Sequence, residues 1–373
     1  GRPGGSQVFP GFQPTNELKQ SRGNVALYFD TEFNFTDNFF VDAAVRYEDY
    51  TDFGSTFNWK LAARLAATEK IALRAAVSTG FRAPSLQQRY FNSTSTLFQL
   101  NAEGVNVPNE VGTFRNDSKI ANLFGIPNLT NESSLNMSVG MTWELMNNLN
   151  FTVDAYQVSV DDRVVLTGSF SASSSPEIAA ILDQANAGSA TFFVNGIDTK
   201  TSGIDLIVAH SAELGGGTLR TTLATNFTKT DVEAIHIPSS LQGAPTSFFN
   251  REEQNRFEDA LPNSKVNLSL VYKMDKFNIN LTNVRFGEVV AKSGTDAAPI
   301  DQTFAAKVIT DLSIGYQFTD ALKLTIGGNN ILNVYPDENR TEFRSSERFV
   351  YSRRVSQFGF NGSFFFGRLN VTF

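Results

Sequence analysis

Apolar and polar residues alternate with a period of two over long segments of this chain, and no other feature limits its fold as much. From Asn24 onward Val25, Leu27, Phe29, Phe33 and Phe35 share one parity, while Ala26, Tyr28, Asp30, Glu32 and Asn34 share the other. Successive side chains of a strand point to opposite faces, so one face of this segment is oily and the other wet. The pattern returns over residues 39–47, 57–65, 71–77, 135–145, 149–166, 191–214, 219–227, 266–272, 277–281, 308–318 and 322–326. A last strand ends at Phe373 with Phe365, Leu369 and Val371 in one row, which makes thirteen.

The joins sort by length. Short turns follow Thr36, Thr68, Met146, Gly215, Met274 and Thr319, and longer connections fill every other join. These are a short loop at 52–56 and long ones at about 81–132, 167–190, 231–262, 290–302 and 330–356. Both ends of a soluble sandwich see the same water, so nothing there sorts loops by length. A membrane does, because transmembrane barrels carry short periplasmic turns and long extracellular loops. No run approaches the ~18 apolar residues that a membrane helix takes, so a bilayer would have to be crossed by strands. The reading is an all-β fold: an antiparallel, up-and-down transmembrane β-barrel with its short turns at the periplasm. Thirteen strands in that order leave the first and last parallel, whereas bacterial single-chain barrels have an even number. The whole chain, 1–373, is therefore expected to be the C-terminal part of a larger barrel. Gly1-Arg2-Pro3-Gly4-Gly5-Ser6 shows no basic and apolar pattern of a signal peptide.

Two local features are expected inside these elements. Ser175 as cap, Pro176 as first residue, and Ile178, Ile181, Leu182 and Ala185 on one face predict a short amphipathic helix closed by Gly188. In the strand over 191–214 the apolar parity slips, and a bulge at Gly203 would absorb the change.

Composition removes other classes. With 31 basic against 38 acidic residues the charge is −7, which offers no nucleic acid a basic footprint. Charged residues make up 18%, under the roughly 25% of soluble domains, while 34 Phe demand a large apolar surface. The absence of Cys excludes disulfides, thiolate metal sites and a cysteine nucleophile. Two His, His210 and His236, leave little for an imidazole-based metal centre or relay, so neither cofactor nor metal is expected. Gly215-Gly216-Gly217 lacks the Lys and Ser/Thr of a phosphate loop and reads as a turn.

Four segments carry a resemblance: Phe9-Pro10-Gly11-Phe12, the stretch from Arg46 through Tyr50 and Asp52 to Gly54, Ser78-Thr79-Gly80-Phe81-Arg82-Ala83-Pro84-Ser85-Leu86, and the stretch from Asn329 through Asn333 to Asp337. Together they resemble TonB-dependent outer-membrane receptors along essentially the whole chain. The resemblance implies a barrel of about 22 strands around an N-terminal plug. It implies import of scarce ligands such as iron-siderophore complexes, cobalamin or glycans, with no covalent chemistry. It also implies partners: outer-membrane lipid, the TonB-ExbB-ExbD complex acting through the plug, and the barrel assembly machinery reading the terminal Phe373. Neither plug nor TonB box is visible within 1–373, so thirteen strands would be the tenth to the last.

Candidate residues follow from the parity. Asp30, Glu32, Arg46, Glu48, Lys60, Arg64, Arg74, Glu144, Asp154 and Asp205 fall on the wet row, where they either face the plug and the ligand path or are simply solvated. Phe33, Phe35, Trp59, Trp143, Phe151, Tyr316, Phe318 and Phe373 lie near strand ends on the oily row, as an aromatic girdle would. Arg82, with Gln87, Gln88, Arg89 and Tyr90, sits where the fourth strand leaves the membrane. Its planar fork suits an anionic ligand, or else it pins the loop to its neighbours. Phe91, Phe98, Phe114 and Arg115 follow in the same loop, to stack on a ligand or to pack a small core. A passive porin or structural outer-membrane barrel, and a soluble all-β carbohydrate-active enzyme, are the competing readings. The latter needs two converging carboxylates. Asp161-Asp162 and Glu252-Glu253 are sequence neighbours, which fall on opposite faces of a strand or in loops, so no convergent pair is found.

Overall fold

The computed structural model describes residues 16–373 apart from 101–105, 296, 345–348 and 353, with side chains also left out over 96–109. The Phe9 to Phe12 segment lies outside the described residues. Thirteen antiparallel strands form one sheet in which every strand pairs with its neighbours in chain order. They are β1 (Asn24–Thr36), β2 (Phe39–Tyr50), β3 (Gly54–Ala66), β4 (Ile71–Arg82), β7 (Glu132–Met146), β8 (Leu149–Leu166), β11 (Phe193–Leu214), β12 (Gly217–Ile235), β13 (Ser264–Met274), β14 (Phe277–Phe286), β17 (Lys307–Thr319), β18 (Leu322–Asn329) and β19 (Phe364–Val371). The numbers missing here belong to short strands inside the loops: β5 (Ser93–Leu100), β6 (Asn106–Thr113), β9 (Phe170–Ser171), β10 (Ala187–Thr191), β15 (Val289–Gly294) and β16 (Pro299–Phe304).

The register carries the alternation across the whole sheet. Asp42 faces Ala62, Ala62 faces Ala76, Ala76 faces Ser138 and Ser138 faces Tyr156, so one face keeps its small and polar side chains in register from strand to strand. On the other face Val139, Ala155, Ile204 and Phe227 align in the same way. That face is not covered: Val25, Leu27, Phe57, Val139, Ile204 and Phe227 are among its exposed large side chains. Burying such side chains is worth ~1.5–3 kcal/mol each, so a face left bare of protein calls for an apolar solvent.

The buried side chains lie elsewhere. Phe124, Phe170, Phe192, Phe248, Ile178, Leu182 and Leu241 are all nearly inaccessible, and all belong to connections at the long-loop end. Strands β5, β6, β10 and β9 form a small sheet there, in which β6 of one loop pairs in parallel with β10 of the next. Helices α2 (Lys119–Leu123), α3 (Pro176–Ala185) and α4 (Pro245–Phe248) pack with it, so three connections, 83–131, 167–192 and 236–263, share one core. Hydrogen bonds sew them together: Phe114 N–H donates to Thr191 O at 3.0 Å, and Gly168 N–H to Phe248 O at 3.1 Å. Ser240 Oγ donates to Phe124 O at 2.6 Å. A second small core joins the β15–β16 hairpin to Val355 beside α5 (Arg251–Glu258).

Several expectations need correction. The connection after β2 covers only 51–53, so one join at the loop end is as short as the turns. The segment expected as one long loop over 81–132 gives its first two residues to β4 and its last to β7, and holds two strands and two helices of its own. Helix α3 begins at its Ser175 cap, but it is closed by Asn186 at φ 51°; Gly188 belongs to β10. Asn reaches the left-handed region by bonding locally, so glycine is not required there. The irregularity of β11 lies between Asn195 and Thr199 and not at Gly203. Gly203 answers a different demand, since a Cβ there would meet the Tyr156 ring at 2.4 Å. The last strand starts at Phe364, well after Ser356.

Candidate functional site

On the polar face several charges pair, across strands or, for Arg46 and Glu48, two residues apart along β2. Lys60 Nζ donates to Asp42 Oδ2 at 2.5 Å, and Arg46 to Glu48 at 2.6 Å. Arg74 on β4 reaches over β7 to hold both carboxylate oxygens of Asp154 on β8, its Nε bond measuring 2.8 Å. That reach needs Gly140 between them, because a Cβ there would lie 1.9 Å from Asp154 Oδ1. Asp205 accepts from Asn226 Nδ2 at 2.7 Å, and the same amide reaches Tyr156 Oη at 3.3 Å. Asp30 and Glu32 continue the row on β1. Arg64 and Glu144 make no ion pair among the described residues. Both line a polar recess of about 490 Å³ near the short turns, with Asn150, Thr142 and Thr152. A shallower depression of about 640 Å³ lies on the apolar face among Met137, Val139, Ile204 and Phe227.

At the loop end Arg82 pairs with Glu132 directly across the β4–β7 register. Both guanidinium arms hold the carboxylate, Nε at 2.7 Å, and Glu132 also accepts from Val164 N–H at 2.7 Å. Glu132 is buried. Nearby, the Arg163 guanidinium stacks 4.9 Å from the Phe257 ring centre. Arg82 is thus tied to the wall with half its side chain still open.

Helix α1 (Leu86–Tyr90) follows. Ser85 caps it, and Gln88 returns the bond to the Ser85 backbone, which closes a capping box. Arg89 donates to Asp52 O at 2.7 Å and lies near the Asp52 carboxylate, which Arg22 grips with both arms at 2.7 and 2.9 Å. Tyr50 stacks on Phe53 at 4.5 Å and meets Phe81 edge-on at 5.8 Å. The motif from Arg46 to Gly54 and the Phe81-Arg82-Ala83-Pro84 motif therefore meet in one knot at the mouth. Gln87 and Phe91 remain exposed. Arg115 is held 2.9 Å from Asp117 ahead of α2, and Phe114 is buried against Phe192. The Phe98 side chain lies outside the described residues.

Sequence reasoning missed Glu132, Asp52 and Asn226, whose partners stand 21 to 50 residues away, beyond any local signal. It also missed the second set of loop charges. Arg251 on α5 clamps Asp301 on β16, and this bond holds the Asp301 carboxyl below its ordinary value. Burial pushes the Glu253 carboxyl up on the same helix.

Seven of the eight aromatic residues expected near strand ends do lie beside the short turns. Phe35 stacks on Phe39 at 5.6 Å, Trp143 faces Phe151 across the register, and Tyr316 contacts Phe277 and Phe318 at 4.7 and 4.8 Å. Phe33 adjoins Phe35, and Phe373 ends the chain just beyond β19. Trp59 instead sits mid-strand, opposite Val45.

An uncovered apolar face, a polar face of paired charges and a loop body gathered at one end describe the wall of an outer-membrane barrel. The model of the TonB dependent receptor-like β-barrel matches residues 2–331, and the chain belongs to that family. Its place is the outer membrane of a Gram-negative cell, and the fold is an antiparallel partial barrel of thirteen strands. The sequence matches no curated protein. Among solved structures it is similar to the siderophore receptor PirA from Acinetobacter baumannii, at 14% identity and a TM-score of 0.63 over 94% of this chain and 46% of that one. A mutant of the ferric enterobactin receptor from Pseudomonas aeruginosa gives 14% and 0.64 over 98% and 48%. The ferripyoverdine receptor of the Pseudomonas aeruginosa outer membrane gives 14% and 0.56 over 94% and 38%. The chain spans about half the length of the first two structures, or less. Likeness at this identity concerns the fold.

Proposed function

We propose that this chain is the barrel wall and outer vestibule of a TonB-dependent importer of a scarce ligand, with iron-siderophore complexes foremost and cobalamin or glycans as alternatives. The observation that carries the reading is a structured body of loops set over a wall whose polar face holds the ion pairs Lys60–Asp42, Arg46–Glu48 and Arg74–Asp154. The names of the similar structures, siderophore and ferric enterobactin receptors, favour iron. In this reading the chain is the thirteen-strand C-terminal part of a larger barrel. A plug rests against the row from Asp30 and Glu32 to Asp154 and Asp205, and couples the wall to TonB-ExbB-ExbD. Gln87 and Phe91, the open residues around α1, meet ligand, while Arg82, Arg89 and Arg115 hold the mouth in shape. Phe33, Phe35, Trp143, Phe151, Tyr316 and Phe318 anchor the wall at the lipid interface, and Phe373 is read by the barrel assembly machinery.

Growth tests the proposal. A strain lacking the whole gene should lose growth on a ferric siderophore as sole iron source, and regain it with the intact gene. Deleting the TonB component should abolish the same growth. Uptake that persists without TonB would make the protein a passive porin, and a defect confined to a glycan carbon source would move the ligand to that class.

A further inference from the structure

Where the loop body meets the sheet, three strands bring donor atoms to one point. Asp162 near the end of β8, Asp198 on β11 and His236 just past β12 each place one ligand atom within 4.8 Å of the other two. Asp198 Oδ1 lies 2.9 Å from His236 Nε2 and also accepts from the Asp162 backbone N–H at 2.9 Å. The irregular stretch of β11 is what brings Asp198 here, since its register shifts against both neighbours fall around this residue. The supporting backbone is fixed from behind. Ile197, next to Asp198, is fully buried in the shared loop core, and Ile237, next to His236, packs against that core. Asp162 makes no ion pair among the described residues and is exposed to solvent.

We propose that Asp162, Asp198 and His236 form a site for a divalent first-row transition ion of the Zn2+ class, at the neck of the loop body. One imidazole nitrogen with two carboxylate oxygens is a donor set such ions accept, with water completing the shell. The 2.9 Å between Asp198 and His236 is the span of two ligands about 2.0–2.1 Å from a common ion at roughly a right angle. Modest rotation of the exposed Asp162 side chain closes the third bond. Two carboxylates held together repel one another, and a dication between them turns that repulsion into attraction. The imidazole argues against Ca2+, which takes oxygen ligands alone. A bound ion would tie β8, β11 and β12 together above the membrane, at the base of the three fused loops. The proposal is independent of which ligand the protein imports.

Titration calorimetry of the full chain in detergent micelles, first stripped with EDTA, tests it with Zn2+ and, separately, Ca2+. Saturable Zn2+ binding at one site is expected, with Co2+ giving visible absorption bands at the same stoichiometry. Asp198→Asn and His236→Ala should each weaken binding at least about tenfold. Asp162→Asn removes only an exposed charge, at a positive φ that Asn adopts readily, so it leaves folding intact and should weaken binding likewise. Asp161→Asn, beside the cluster, should change nothing. Absent Zn2+ binding, binding unmoved by Asp162→Asn, or a preference for Ca2+ would each overturn the site.

Discussion

Phenylalanine occupies two opposite environments in this protein. In the loop body Phe124, Phe170 and Phe192 touch one another at 5.2 to 6.4 Å and see no solvent. In the sheet Phe29, Phe57 and Phe227 stand out from the surface, each more than half exposed. One region is built as a water-soluble domain, with its oil inside. The other has its oil outside and its charges within. The difference teaches that the two halves answer to different solvents: water drives the loop core together, while the sheet is satisfied only against lipid.

Substitutions should separate the two. The largest effect is expected for Phe192→Ala, which empties the middle of the shared loop core at a cost of ~3–5 kcal/mol. Limited proteolysis of intact cells should then cut several loops at once, while heat-modifiable migration in gels reports an unaltered barrel. Next comes Leu61→Arg, a charge at mid-strand on the apolar face, costing ~2–4 kcal/mol. Urea unfolding in lipid vesicles should show that loss, with the loops still resistant to protease. If Leu61→Arg behaves as a neutral surface change, the lipid assignment of that face fails.

Gly140→Val sharpens the comparison on the polar face. Its side chain would displace the Arg74–Asp154 pair, and overpacking of this kind costs ~1–3 kcal/mol. A further Asp154→Gly change should restore most of the urea midpoint, since it clears the obstructing carboxylate. Ser175→Ala removes the cap of α3 and should cost ~1 kcal/mol, read as faster amide exchange within the loop body alone.

The smallest effect concerns pH. Arg251 holds the Asp301 carboxyl below its ordinary value of 3.8, so folding binds that proton less readily than the unfolded chain does. The contribution is complete above that value and fades as pH falls through the lower, folded one. Spectra of the β15–β16 region should therefore be constant at neutral pH and change only in acid. Arg251→Gln should abolish the acid step.

The sheet was readable from sequence because a half-wet strand writes its two faces into alternate positions, as Val25 to Phe35 do. The small strands of the loops left no such mark. Strand β10, Ala-Gly-Ser-Ala-Thr, is flanked by β6 of another loop and β9 of its own, and its buried residues, Ala187 and Ala190, do not alternate. The loop core escaped for the same reason: Phe124, Phe170, Phe192 and Phe248 come from three connections, and nothing local says they meet. Arg82 was visible as a charged residue at a strand end. Its partner Glu132 lies 50 residues on, so an ion pair and an open ligand contact looked alike.

The pooling of three connections into one core also bears on how such a receptor changes over time. Ligand preference in a vestibule of separate loops can drift one loop at a time, or be transferred by grafting a single segment. Here a graft of 167–192 alone would arrive without the Phe124 and Phe248 it packs against, and the recipient would gain a disordered roof. Transfer of specificity should succeed only when all three segments move as a set, which makes this surface slow to diversify and gives designers a single transplantable unit.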